Sequence, residues 1–488
     1  MGDGGAGFGD AVRRLRASFG DRLHLPGEPG YDAHRPAWNL VIDPRPAIVA
    51  EAAHPDDVRA AVLAAREHGL PLTVQATGHG THVPADGGLL LKTGRLGGVR
   101  VDPGRRTARA GAGARWSDVI AAAAPYGLAP LSGTPGIGVT GYTLGGGTGW
   151  LSRRYGYAAD ALTRAELVTA AGEPVTAGGE EHPELFWALR GGGGNFGVVT
   201  ELEFRLFPVA EVYAGMTLHP VERAAATLAR YREWAPAAPD ELNTSVILMR
   251  MPGGQGDEQE APARWALAVR GFYAGDAERG RQALAPLLEA AGPVLGGGFG
   301  AMTFGEAATA FGGPEPAPMA VVQHLELLPE LPDGAVRAVT QAAGGAPSPG
   351  PAGGPALTAV EVRHWGGAMA RPEPDAGPVG HRDVPFSVIA TAVLGAGPST
   401  APAPAPDAIP AASAAPDAAP GMTAGEAVRD LAGALRPYAT GGSFLNFLTD
   451  PARTRDAYTP ADHARLRRVK RDWDPDNLLG RVHNIPPA

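Results

Sequence analysis

Three short stretches combine glycine with groups able to do chemistry. Thr77-Gly78-His79-Gly80 sets an imidazole between two glycines. Residues 131–150 read LSGTPGIGVTGYTLGGGTGW, with glycine at eight of twenty positions and Tyr142 among them. Residues 190–197 read RGGGGNFG. Glycine at this density fits a chain that turns tightly or lets something approach its backbone. Bare amides suit phosphate oxygens. Three such turns point to one extended, phosphate-bearing cofactor. Leu144 and Trp150 flank the triplet Gly145, Gly146 and Gly147 with apolar bulk, which marks a packed loop rather than a linker. His79 and His82 would suit a metal pair, but no third or fourth ligand is apparent, so no metal is expected. On the residues alone, His79 is a loop histidine beside the cofactor.

These turns need elements to hold them. A strand is expected over 47–52, then a helix opened by His54-Pro55-Asp56-Asp57 and stopped at Gly69, with Val58, Ala61, Val62 and Ala65 on one face. A strand over 71–74 leads into the first glycine turn, and 89–92 is a further strand. Segments 99–101 and 107–110 form a hairpin around Asp102-Pro103-Gly104-Arg105. Ser117 is expected to cap a helix ending at Ala124. Another hairpin joins 165–169 to 174–176, and a short helix over 184–189 precedes a strand over 198–207. Alternating strands, helices and glycine turns are α/β bookkeeping.

After Pro208 the pattern changes. Helices over 221–234 and 279–291 alternate with strands over 244–250, 266–273, 321–328, 357–365 and 386–393, which reads as a second, α+β domain. Segments 252–262, 344–356 and 397–421 read as loops, the last a Pro/Ala-rich low-complexity stretch. Thr459-Pro460 opens a final helix carrying Leu466, Val469 and Trp473 on one side.

Bulk properties narrow the function. A chain of 488 residues exceeds one ordinary core, so two domains are expected. A net charge of −9 disfavours nucleic acid and anionic membranes as partners. With no cysteine, disulfides, thiolate metal sites and a cysteine nucleophile are excluded. No apolar run is long enough to span a bilayer and no signal-peptide h-region is visible, so a cytoplasmic location is expected. A Rossmann dehydrogenase is disfavoured, because no strand–GxGxxG–helix with a following acidic residue is present.

The motifs together resemble the berberine-bridge-enzyme-like FAD-linked oxidases of the vanillyl-alcohol-oxidase/PCMH superfamily, in their bacterial secondary-metabolism type. The resemblance rests on YDAHRPAWN (31–39), IDPRPA (42–47), Gly78-His79, GYTLGGGTGWLSRRYG (141–156) and LFWALRGGGGNFGVVTELEFRL (185–206). It continues through HWGGA (364–368) and NFL (446–448) to WDPDNLL…HNIPP (473–487).

This likeness implies an α+β fold: a PCMH-type two-subdomain FAD-binding domain over 1–207, a substrate domain with an antiparallel sheet over 208–439, and a segment 440–488 returning to the FAD domain. It implies FAD bonded to His79 through a neutral imidazole nitrogen. The usual second link, from a cysteine, is excluded, and Thr134 stands at the matching position. Gln75 replaces an arginine common in the family.

Further contacts are implied for each part of the cofactor. Ala76, Thr77, Gly78, His79 and Gly80 should wrap the pyrophosphate. Thr134, Pro135, Gly136, Gly138, Val139 and the triplet Gly145, Gly146 and Gly147 should line the ribityl and diphosphate. Val198 and Val199 should lie by the adenine, and Asn446 near the ring or ribityl. Tyr142 should stand beside flavin N1 and C2=O, to stabilise negative charge there.

Sugar and alcohol oxidases of the family often take the proton with a tyrosine in Tyr-x-Asn, where this chain has Phe444-Leu445-Asn446. Glu361 is the first alternative base, ahead of His364 and Glu326. The expected reaction is oxidation of a small organic substrate by hydride transfer to flavin N5, with O2 as acceptor. A flavin monooxygenase acting on a polyketide-like substrate, or a flavin-binding protein without redox chemistry, are the alternatives.

Overall fold

The computed structural model describes residues 3–251, 264–312, 317–343, 357–394 and 424–488. The three segments expected to be loops lie outside the described residues.

Three sheets carry the molecule. The first has four strands in the order Leu23–His24, Ile48–Glu51, Leu89–Lys92 and Leu72–Gln75. Its last three strands pair in parallel, which requires a crossover. The helix Pro55–Glu67 provides it, burying Val58, Ala61, Val62 and Ala65 as its spacing predicts. Leu72–Gln75 then delivers the chain into the first glycine turn.

The second sheet has five antiparallel strands, in the order Val99–Asp102, Thr107–Gly111, Val198–Arg205, Leu162–Val168 and Pro174–Gly178. Both expected hairpins are present in it. The helix between the first two glycine-rich regions, Trp116–Ala123, starts two residues earlier than a Ser117 cap would set it, with Arg115 at the N-cap position. Asp118 accepts from the Arg115 N–H at 2.8 Å, while the Ser117 N–H is bonded to the Pro135 carbonyl. Ser117 is therefore not its cap.

The third sheet has seven strands, all antiparallel, and every strand comes from between residues 211 and 394. The order is Gly296–Thr303, Glu211–Pro220, Arg264–Tyr273, Leu242–Met251, Ala359–His364, Phe386–Leu394 and Ala320–Leu328. The edge strand Gly296–Thr303 was not expected: its sequence GGGFGAMT has too many glycines to read as a strand.

One face of this sheet packs Val246, Leu248, Val360, Val362 and Val388 under the helices Ala224–Trp234, Ala277–Ala291, Asp333–Ala342 and Ala424–Leu435. Since strand side chains alternate, Arg270, Ser245, Glu361, Arg363 and Gln323 take the other face. The Asn39 amide seats the edge of the sheet, donating to the Val321 carbonyl at 2.9 Å and accepting from the Val321 N–H at 3.1 Å. The C-terminal helix Pro460–Trp473, capped by Thr459, joins the core of the second sheet through Leu466 and Val469.

Candidate active site

A cavity of about 540 Å³ lies between the glycine turns and the free face of the seven-stranded sheet. The turn after Leu72–Gln75 forms one wall. Gly78 sits there at φ +82°, and a Cβ on it would lie 2.8 Å from the Trp38 nitrogen and against the Gln75 amide, so only glycine fits. Gln75 itself donates to the Pro36 carbonyl at 3.1 Å.

His79 is held on two sides. Its ring stacks on Trp38 at 4.4 Å between centroids, and Nδ1 lies 3.2 Å from Thr77 Oγ1. Burial, with a smaller contribution from Arg115, pulls its pKa down to about 4, so the imidazole is neutral at physiological pH. His82 and His483 line the same cavity, with ring centroids 5.3 Å apart. His82 is also depressed to about 4, by burial and then by His483.

The second wall is the glycine-rich stretch, which contains a helix, Val139–Leu144. Gly138 precedes it and donates to Thr77 Oγ1 at 3.3 Å, tying the first two turns together. Tyr142 on this helix is 8% exposed, set edge-on to Trp116 at 5.4 Å, and burial pushes its phenol pKa up. The surrounding glycines make room for that ring. A Cβ on Gly147, at φ +77°, would lie 2.5 Å from the Tyr142 ring and 2.8 Å from Ala158. Asn446 completes this wall: Oδ1 accepts from the Gly147 N–H at 2.8 Å and Nδ2 donates to the Tyr142 carbonyl at 3.1 Å.

The sheet supplies the third wall. Arg270, Ser245 and Arg363 occupy one register row across three strands. Glu361, two residues before Arg363, receives both guanidiniums: Arg270 Nη2 at 2.5 Å, Arg363 Nη2 at 2.6 Å and Arg363 Nε at 3.0 Å. Burial works against the Glu361 carboxylate, yet Arg270 and Arg363 outweigh it and hold the pKa at about 2. Such a carboxylate is a weak proton acceptor at neutral pH. The base role expected of Glu361 therefore conflicts with its surroundings, although it does face the cavity.

His364 points to the opposite face of its strand, where Arg153 lies against its Nδ1 at 2.7 Å. Glu326 is bonded to His324 at 2.8 Å, and neither lines the cavity. Phe444 is packed against Trp365 at 5.5 Å and Tyr157 at 6.0 Å, also away from the cavity.

The cavity gathers most of the expected contacts. Ala76, Thr77, Gly78, His79 and Gly80 line it, as do Thr134, Gly138, Tyr142, Gly145, Asn446 and Glu361. Pro135, Gly136 and Val139 do not, Val139 being fully buried in the core. Gly146 and Gly147 shape the turn, against Val379 and Tyr142 respectively, instead of lining the cavity. Val198 and Val199 are buried between sheets and helices, away from this cavity.

Sequence reasoning did not single out Trp38, Arg270 and Arg363, among others, while Gly141 and Gly193 lie in two of the glycine stretches it named. The arginines carried a signal. Arg270 interrupts the apolar run ALAVRGFY, and Arg363 shares the strand parity of Glu361.

The wall fits FAD by its unmet needs. His79 Nε2, Tyr142 Oη and Thr148 Oγ1 are buried without a hydrogen-bond partner, and all three residues line the cavity. Side chains added at Gly80 or Gly141 would meet open space. A polar, bulky ligand satisfies both conditions.

Outside the cavity, His24, His34 and Glu51 bring one ligand atom each within 4.8 Å. The two rings are stacked at 4.3 Å and 4°, so their in-plane lone pairs do not converge. Lys92 and Arg95 crowd Glu51. The group is an ion-pair network, not a metal centre.

Glycine turns on one side, an antiparallel sheet on the other and unpartnered polar groups between them define a flavin-binding protein. Residues 46–178 match the family described as FAD binding domain, and residues 443–486 the one described as berberine and berberine like. The chain thus carries an FAD-binding domain and a berberine-like C-terminal segment, is similar to berberine-bridge-enzyme-like FAD-linked oxidases, and binds FAD.

Among curated relatives, (R)-6-hydroxynicotine oxidase of Paenarthrobacter nicotinovorans is 38% identical over 185 residues, 37% of this chain and 40% of that one. A xylooligosaccharide oxidase of Thermothelomyces thermophilus is 32% identical over 255 residues, 50% and 48% of the two chains. The chain thus spans less than half the length of these two relatives. The solved 6-hydroxy-D-nicotine oxidase of Arthrobacter nicotinovorans superposes with a TM-score of 0.78 and 26% identity, covering 96% of this chain and 98% of that one. Glucooligosaccharide oxidase from Acremonium strictum, with cysteinyl- and histidyl-linked FAD, shares the fold at a TM-score of 0.80 and 22% identity over 98% and 99% of the chains. Without cysteine, only the histidyl link is open to this protein.

Proposed function

We propose that this protein is an FAD-dependent oxidase that removes a hydride from a small organic substrate and passes the electrons to O2. The observation that carries this reading is the one cavity in which unpartnered His79, Tyr142 and Thr148 meet a polar sheet face. Relatives named as oxidases support it. Bound FAD supplies the hydride acceptor, and the residues of the chain hold it and the substrate in place.

His79 is the attachment point for the cofactor. Its imidazole is neutral, which a nucleophile requires, and Trp38 and Thr77 fix its plane. Tyr142 holds a hydrogen-bond donor in a dry site, where it stabilises negative charge far better than in water. Asn446 locks Tyr142 and the glycine loop in place. Glu361 orients Arg270 and Arg363, and the substrate proton leaves by another route. Residues 1–207 and 440–488 serve the cofactor and 208–439 the substrate. The substrate is a secondary-metabolite intermediate, and the protein works in the cytoplasm.

The test is anaerobic mixing of FAD-loaded protein with candidate substrates. Bleaching of the flavin absorbance, followed by H2O2 release when air is admitted, supports the reading. A flavin that photoreduces normally but is reduced by no substrate contradicts it.

A further inference from the structure

The sheet face that closes the cavity carries a charge that the described residues lining it do not balance. Arg270 and Arg363 bring two guanidiniums to it, and Glu361 is the one carboxylate among the residues lining the cavity, leaving a formal charge of +1. The histidines of the wall add no counter-charge. All three ionic side chains are largely buried, at 14%, 13% and 17% exposure for Arg270, Arg363 and Glu361. A partly desolvated cation without a full partner is costly, so an anion is favoured beside it.

The geometry leaves room for that anion. Arg270 uses Nε toward Ser245 Oγ at 3.2 Å and Nη2 toward Glu361. Arg363 uses Nε and Nη2 toward Glu361. The Nη1 groups of both make no hydrogen bond among the described residues, nor are they among the buried unpartnered atoms. Because the two arginines share one register row, they present their remaining donors from the same level of the sheet. Beside them, the Arg270 guanidinium lies 4.8 Å over the Trp150 ring, and Phe311 stands 5.3 Å from that ring. A cationic end therefore adjoins an aromatic floor inside one cavity.

We infer that this site takes a substrate bearing a carboxylate on an aromatic or apolar body, the carboxylate received by Arg270 and Arg363 and the body lying on Trp150 and Phe311. This rests on the oxidase reading above and names its substrate class. Glu361 holds the two guanidiniums in the fork that recognises a planar anion.

The experiment compares acids with their uncharged isosteres. FAD-loaded protein is titrated with benzoate and phenylacetate, then with benzamide and phenylacetamide, following flavin absorbance. The acids are expected to bind at least about tenfold more tightly than the amides, and the advantage to vanish in Arg270→Met. Equal affinity of acid and amide, or no perturbation by any acid, overturns the inference while leaving the flavoprotein reading intact. If Arg270→Met folds but loses FAD, the guanidinium serves the cofactor and the inference falls. The wild-type comparison decides the matter even if the variant does not fold. Wild-type protein that carries no flavin fails the underlying reading instead.

Discussion

The Asn446 side chain accepts from the Gly147 N–H at 2.8 Å, across a separation of 299 residues. Its other end reaches the Tyr142 carbonyl. One amide from the C-terminal segment thus fixes both the glycine loop and the tyrosine helix. Asn446→Ala would leave the loop amide without its partner, at about 1–3 kcal/mol. In the His79→Ala background, where FAD binds reversibly, we expect a lower melting temperature and faster FAD loss, with Asn446→Asp intermediate because it keeps the acceptor. Thermal denaturation with and without added FAD checks this. An unchanged FAD off-rate in Asn446→Ala would remove Asn446 from the cofactor wall.

Two neighbouring glycines separate fold from ligand. Gly78→Ala forces a Cβ at φ +82° into the Trp38 backbone, and the strain of about 1–3 kcal/mol destabilises the protein even without cofactor. Gly80→Ala meets no atom within 4 Å, and so does Gly141→Ala on its helix, where alanine adds about 0.5–1 kcal/mol of helix preference. Introduced into cofactor-free His79→Ala protein, Gly80→Ala and Gly141→Ala should therefore melt at or above the temperature of that parent, yet bind FAD at least about tenfold more weakly. Calorimetric titration with FAD measures the second half. The affinity of the His79→Ala parent in both variants contradicts the placement of FAD here.

Glu361 is a carboxylate between two arginines, and its removal should be felt in stability before chemistry. Glu361→Gln leaves two partly buried guanidiniums without their counter-ion, a loss of about 3–5 kcal/mol. If Glu361 were the base, the same change would instead lower turnover by about 10²–10⁴-fold with stability largely kept. Urea denaturation of wild type and variant, set beside steady-state rates on any substrate found, distinguishes these outcomes.

Buried neutral histidines give the protein an acid-side weakness. His79 and His82 lie near 4 and His364 near 3, each pulled below 6.5 first by burial. Between those values the unfolded chain binds more protons than the folded one, by about three from these residues alone, so stability rises with pH. The stabilisation is complete above about 6.5 and is lost as the pH falls toward 4. Melting temperature should be flat from pH 8 to 7 and fall steadily from 6.5 to 4.5. A melting temperature that holds or rises over that lower range contradicts the burial of these rings.

Much of the fold was legible because it was local. The crossover helix showed itself through Val58, Ala61 and Val62, and the first glycine turn through Gly78 and His79. What escaped depended on partners far along the chain. Gly146 and Gly147 look like ligand-binding glycines, yet they make way for Val379 and the Tyr142 ring. Val198 and Val199 pack between layers that sequence does not place together. Arg363 was readable from strand parity alone, but its pairing with Arg270 depends on the register of the strand Leu242–Met251 between them. That pairing is what turns Glu361 from an expected base into a counter-ion.

The measurement that tests the central reading most directly is the intact mass of the purified protein after acid denaturation, for wild type and His79→Ala. Wild type should carry the mass of one FAD, and His79→Ala should not, while still binding FAD reversibly before denaturation. Flavin released from wild type by acid would contradict the His79 bond, and protein that takes up no FAD at all would contradict the flavoprotein assignment itself.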